Sequence, residues 1–259
     1  MPKIVAHRGA SAEKPENTMS AFRRAQELGV FGIELDVHVL EDKTCVVFHD
    51  SKMIHPDGTE KSIYFFNRKT IKEFPVSNKE FPLYDTETIP YLEEVLDFLK
   101  GNNLFLDLEI KYNANMSYRR PEDFIMPLLE EYRFQNRMII SSFDYEAILP
   151  AIKRKWPEYK LGAMYGKTPE KDMVLWSKEN GIDAIHPRFS LLDKDIVEHA
   201  HRHNILVNAW TVNTLEDMRQ MTEFGVDMMI TDNPAMGQQL LKGGKFSTIP
   251  EVKHGQFRK

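Results

Sequence analysis

Short β-type runs alternate with helix-type patterns along nearly the whole chain, and this rhythm narrows the fold more than any other feature. Strand-like stretches fall at residues 4–7, 31–39, 104–110, 138–141, 160–164, 183–185, 205–210 and 228–231, with a short extra one at 45–48. Helical periodicity fills 18–28, 91–100, 122–132, 145–155, 169–179, 192–203, 214–223 and 235–241. Asn17 or Thr18 caps the first helix and Gly29 stops it. Eight strands followed by eight helices predict an α/β protein, a single (β/α)8 TIM barrel. The 259 residues agree with the roughly 250 of a typical barrel.

Residues 51–88 break the rhythm. Pro56-Asp57-Gly58, Phe74-Pro75 and Phe81-Pro82 are turn chemistry, which predicts a small insertion over the barrel rim after the second strand. Such an excursion is either functional or a surface loop without a role. Its aromatic residues, Phe65, Phe66, Phe74, Phe81 and Tyr84, either close over a substrate or pack the insertion onto the barrel. Periodicity ends near Lys245, so the expected organisation is a barrel domain over 1–244 and a C-terminal tail over 245–259.

The net charge of −5 gives no basic field for nucleic acid or anionic lipid, and Lys153-Arg154-Lys155 reads as a solvated helix face. Cys45 is the only cysteine, which excludes an internal disulfide and a multi-cysteine zinc site; its neighbours Val46, Val47 and Phe48 predict a buried thiol. No apolar run approaches the roughly 18 residues of a membrane span. The N-terminus leads straight into a strand with no signal-peptide pattern. The expectation is a cytoplasmic protein that acts on a small molecule and binds no nucleic acid.

Barrel enzymes carry their chemistry at the C-terminal ends of the strands, and this chain places ionisable residues there repeatedly. His7-Arg8-Gly9 ends the first strand, His49-Asp50 follows the short one, and Thr231-Asp232-Asn233-Pro234 follows the last. Glu34 and Asp36 stand two apart, as do Glu109 and Lys111, so each pair points to one side of its strand. Three carboxylates aimed into one mouth repel each other unless some are protonated or a cation lies between them. All-oxygen ligation by Glu34, Asp36 and Glu109 suits a hard divalent ion, Mg2+ or Ca2+. The alternative is a salt-bridged set in which Arg8 and Lys111 neutralise the acids. A guanidinium and an ammonium are also suited to phosphate oxygens, and imidazoles beside a cation make a natural acid–base pair. His38 shares the parity of Glu34 and Asp36 and reads as a hydrogen-bonded barrel residue. His199, His201 and His203 read as solvent-facing, and His186 as a residue of the rim. Residue types and spacing lead to a metal-assisted hydrolase of a phosphate ester.

The same residues, in order, resemble the glycerophosphodiester phosphodiesterase family. His7-Arg8-Gly9 with Pro15-Glu16-Asn17-Thr18 is similar to its opening signature. Glu34-Leu35-Asp36-Val37, His49-Asp50, Ile89 to Val95, Leu106 to Lys111, Trp210-Thr211-Val212-Asn213 and Thr231 to Pro234 follow. The resemblance implies a barrel that cleaves glycerophosphodiesters to glycerol 3-phosphate and an alcohol. It implies metal ligation by Glu34, Asp36 and Glu109, and general acid–base roles for His7 and His49. Arg8 and Lys111 would grip the phosphate, Trp210 would pack on the glycerol, and the block Pro15 to Thr18 would support the first loop, with Glu16 behind it. Two further readings are a lyase-like relative releasing a cyclic phosphate from a lysophospholipid, and a barrel that binds phosphorylated ligands without turnover.

Overall fold

The computed structural model describes residues 1–54, 58–74, 76, 87–112 and 120–243. Phe81, Tyr84, His55 and the 245–259 tail lie outside them. Eight parallel strands close a barrel: β1 (Lys3–Ala6), β2 (Gly32–Val39), β6 (Phe105–Ile110), β7 (Met138–Ser142), β8 (Leu161–Tyr165), β9 (Ala184–Pro187), β10 (Leu206–Ala209) and β11 (Met228–Thr231). In that order each pairs with the next, and β11 returns to β1 with Lys3 opposite Met228. β3 (Cys45–Val47) adds antiparallel to the end of β2.

Helices alternate with the strands: α1 (Met19–Glu27), α3 (Leu92–Lys100), α4 (Glu122–Tyr132), α5 (Tyr145–Lys155), α6 (Met173–Glu179), α7 (Lys194–Arg202), α8 (Leu215–Phe224) and α9 (Pro234–Leu241). Their starts follow local chemistry. The Thr18 hydroxyl accepts the Ala21 N–H, Thr214 accepts that of Asp217, and Asn233 accepts that of Met236 just before Pro234. α6 begins four residues later than its periodicity suggests, because the Asp172 carboxylate takes the Val174 and Leu175 N–H groups and fixes the first turn there.

Strand parity sorts the side chains. Ile33, Leu35, Val37, Leu106, Leu108 and Ile110 point outward into the main core against the helices. The inward-facing residues are apolar near the strand starts, where Val5, Met228 and Ile230 pack together, and polar towards the C-terminal ends. Met228, the first residue of β11, therefore lies at the base of the barrel and away from the mouth.

Residues 51–74 hold more structure than turn chemistry suggests. β4 (Lys52–Ile54) and β5 (Glu60–Ser62) form an antiparallel pair, followed by a 3-10 turn at Ile63–Phe65 and α2 (Arg68–Ile71). Met53, Ile63, Tyr64, Phe66 and Ile71 form a separate core with Leu40, Val46 and Ile89 at the barrel edge. Packing onto the barrel is thus the use of Phe66, with Phe74 edge-on against it, whereas Phe65 is exposed. Cys45 is buried, as its neighbours imply.

Candidate active site

The C-terminal mouth gathers the residues expected from sequence. Glu34 and Asp36 stand inward on β2 beside Glu109 on β6, with Asp36 directly opposite Glu109 in the strand register. All three are buried, and one oxygen from each lies within 4.8 Å of the others. Lys111 bridges two of them, its Nζ 2.8 Å from Asp36 and 2.6 Å from Glu109. Arg8 donates its backbone N–H to Glu34 at 2.9 Å, places Nε 3.3 Å from Asp36, and holds both Glu16 oxygens through one terminal nitrogen. The ion pairs of the salt-bridge alternative therefore exist. They tie Arg8 and Lys111 to three carboxylates, Glu16, Asp36 and Glu109, and leave Glu34 with no side-chain cation from either.

The electrostatics follow. Burial, then the neighbouring Asp36, pushes the Glu34 carboxyl well above the usual range. Burial likewise lifts Glu109, to about 8, against the pull of Lys111. Burial also opposes ionisation of Asp36, but Lys111 and Arg8 outweigh it and hold that carboxyl below the usual range. A compact, buried, all-oxygen donor set, two of whose carboxyls resist ionisation without a further counter-charge, fits a hard divalent cation.

Two non-glycine residues with left-handed backbone flank the cluster, Arg8 at φ 55° and Asn17 at φ 55°. The Asn17 N–H bonds the Arg8 carbonyl, and its side chain donates to Asp36 at 2.7 Å. Gly9 follows at φ 81°, where a Cβ would overlap the backbone of Ala21, so the loop packs directly on α1.

Each mouth histidine has a carboxylate on Nδ1. His7 bonds Asp232 at 2.5 Å, and His49 bonds Asp50 at 2.7 Å. Asp232 is itself held by the Asn213 side chain at 2.5 Å and the Ser11 hydroxyl at 3.2 Å. Burial opposes its ionisation, but His7 and Asn213 prevail and hold its pKa at about 2. With Nδ1 carrying the proton in each ring, Nε2 is left to face the mouth; that of His7 lies 3.9 Å from Glu34.

On the far side of the mouth, Trp210 donates its indole N–H to the His186 carbonyl at 2.7 Å and meets Phe143 edge-on at 5.3 Å. His186 does not line the rim. It is buried one layer below, accepting from the Asn208 amide at 2.8 Å and standing 3.4 Å from Asp107, which takes the Ser141 hydroxyl. Gly162 leaves room for this imidazole, since a Cβ there would overlap it. Burial lowers His186 to about 3 and raises Asp107 to about 7, so this layer is close to neutral. His38 is a hydrogen-bonded barrel residue, tied to the Tyr64 hydroxyl at 2.7 Å and the His49 carbonyl at 3.1 Å. Of the α7 histidines only His201 is exposed. His199 and His203 are half-buried against each other, and His199 pairs with Asp172, because the Asp172 cap of α6 sits beside this face.

Sequence reasoning set Asp232 at a strand end without a role, read Asn17 as a possible cap and as part of the block behind the first loop without its bond to Asp36, and gave Asn213 no role. The available signal was parity: Asp232 continues the inward-facing set of β11 by two residues beyond Ile230.

Fold and site together define a (β/α)8 barrel with a buried acidic triad at its mouth that could hold a metal ion. The family model described as the glycerophosphoryl diester phosphodiesterase family matches residues 7–236, and the chain belongs to that family. A glycerophosphodiester phosphodiesterase of Caldanaerobacter subterraneus is 33% identical over 243 residues, covering 93% of this chain and 98% of the relative. One from Bacillus altitudinis is 30% identical, covering 90% and 96%. An Oleispira antarctica phosphodiesterase, solved in complex with the product sn-glycerol-3-phosphate, superposes with a TM-score of 0.85 at 25% identity, covering 93% of this chain and 97% of that one. Among the described residues no helix is long and apolar enough to cross a membrane.

Proposed function

We propose that the protein hydrolyses glycerophosphodiesters to glycerol 3-phosphate and an alcohol, with Glu34, Asp36 and Glu109 as ligands of one divalent cation, Mg2+ or Ca2+. The observation that carries this reading is the buried triad ringed by Arg8, Lys111 and the two carboxylate-backed histidines. Family membership and the product bound by the Oleispira relative support the substrate class.

When bound, the cation supplies charge neutralisation at the phosphoryl oxygens. Arg8 and Lys111 hold the remaining phosphate oxygens, their side chains fixed in advance by Glu16, Asp36 and Glu109. Nε2 of His7 takes the proton of the attacking hydroxyl, from water or from the glycerol itself, and Asp232 stabilises the imidazolium that results. His49, nearer to solvent, enters the reaction as an imidazolium with Nδ1–H on Asp50, gives its Nε2 proton to the departing alkoxide and is left neutral. The Trp210 indole, locked by the His186 carbonyl, gives the glycerol carbons a flat apolar wall.

The test is release of glycerol 3-phosphate from glycerophosphocholine and glycerophosphoethanolamine, with chelator and then with Mg2+ or Ca2+ restored. Release restored by metal is expected, and none under either ion would overturn the assignment. His7→Ala and His49→Ala should each lower kcat by about 10²–10⁴. Turnover within a few-fold of wild type would remove that histidine from the mechanism.

A further inference from the structure

We propose that Arg188 forms a second anion-binding position in the mouth, so that the enzyme favours glycerophosphodiesters carrying a further phosphate on the part of the substrate seated against Trp210. This rests on the activity proposed above and names a substrate class within it.

The argument begins with strand register. Leu206 pairs with Ala184 and Val207 with Ile185, so Asn208 lies beside His186, and the pairing continues to a bridge between Arg188 and Trp210. Paired residues on neighbouring strands share a face. Asn208 and His186 face inward, since their side chains bond each other inside the barrel. Two residues on, Arg188 shares that inward parity and stands next to Trp210 at the mouth. On its other side Tyr165 pairs with Pro187, which makes Gly166 its neighbour, and the rings of Phe143 and Trp210 reach the space over that glycine.

The base of this arginine is fixed. Its N–H donates to the Tyr165 carbonyl at 2.8 Å, the Phe189 N–H to the Trp210 carbonyl at 2.7 Å, and the Trp210 N–H to Pro187 at 3.2 Å. The head group is not. Arg188 is exposed and, among the described residues, has neither an ion pair nor a side-chain hydrogen bond. Arg8 and Lys111 are both engaged by carboxylates, whereas Arg188, also of inward parity, has no anion among the described residues. Asp232, beyond Trp210 around the ring, is already held by His7, Asn213 and Ser11.

Position completes the case. In the closed order of eight strands β9 stands opposite β2. A diester held at the β2 side, with one arm laid on Trp210, directs the end of that arm towards Arg188. An ordinary solvated arginine would face outward between helices. This one faces the same space as the reacting groups, and a guanidinium matches phosphate in geometry as well as charge.

The experiment compares kcat/KM for glycerophosphoglycerol and for the same diester carrying a terminal phosphate monoester, using enzyme supplied with its divalent cation. Wild type should prefer the phosphorylated substrate on the order of tenfold at low salt, and the preference should shrink as salt rises from roughly 0.02 to 0.2 M. In Arg188→Gln the ratio should fall to near one, in Arg188→Glu below one, and Arg188→Lys should keep part of it. A wild-type ratio of one, or a ratio unchanged in Arg188→Gln, overturns the second anion position and leaves the diesterase standing. Should wild type cleave neither compound, the diesterase reading itself falls.

Discussion

His7 and His49 meet their carboxylates in different settings. His7 is half-buried against Asp232, which Asn213 and Ser11 hold in place, whereas His49 leans on the exposed Asp50. The first arrangement fixes both tautomer and ring orientation, so Asp232→Asn should lower kcat by about 10–100-fold with little change in fold, read from steady-state kinetics and circular dichroism. The same carboxylate makes stability depend on pH. Its folded pKa is about 2 against an ordinary 3.8, so between those values the unfolded chain binds more protons than the folded one. Its contribution is fully present above 3.8 and is lost as pH falls through about 2. Urea midpoints across that window should fall more steeply for wild type than for Asp232→Asn; parallel slopes would contradict it. Glu34, Asp36, Glu109 and Lys111 were legible in sequence because alternation by two on a single strand states their common face. The bonds of Asp232 and Asn17 were not, since the partner of Asp232 lies 225 residues away across the closed barrel and that of Asn17 lies 19 residues away on the next strand.

At the scale of elements, every barrel strand and helix was legible to within a few residues, because each outward face carries an unbroken apolar pattern against the helices. The insertion was harder to read. Its two strands are three residues each and its helix four, too short for a period to register. Its tie to the site runs through Tyr64, His38 and the His49 carbonyl. Burial lowers His38 to about 4, so it stays neutral, its Nε2 donating to that carbonyl and its Nδ1 accepting from Tyr64. Tyr64→Phe should cost about 0.5–1.5 kcal/mol in chemical denaturation. If the tie also positions His49, Tyr64→Phe lowers kcat in wild type and adds nothing to the loss in His49→Ala. Full additivity in that cycle would confine the insertion's role to packing.

For the molecule as a whole, the triad is a standing electrostatic cost. Burial and mutual repulsion lift Glu34 and Glu109, and a cation that binds only the folded chain relieves both. At 100 times its Kd such an ion adds about 2.7 kcal/mol, roughly 5–10 °C in Tm for a chain of this size. Thermal melts with Mg2+ or Ca2+ against chelator should show that rise. Identical melts would mean that the ion pairs alone satisfy the cluster.

The His7–Asp232 hydrogen bond also has a meaning in time. It spans 225 positions and joins the first strand of the barrel to the last. During synthesis the histidine emerges early and waits for nearly the whole remaining chain before its carboxylate exists. A polypeptide broken off before β11 carries the triad, Arg8 and His49 but no partner for His7. On the mechanism proposed above, full catalytic competence is therefore a property of finished copies, since only they bring the carboxylate that follows the last strand to the histidine that ends the first.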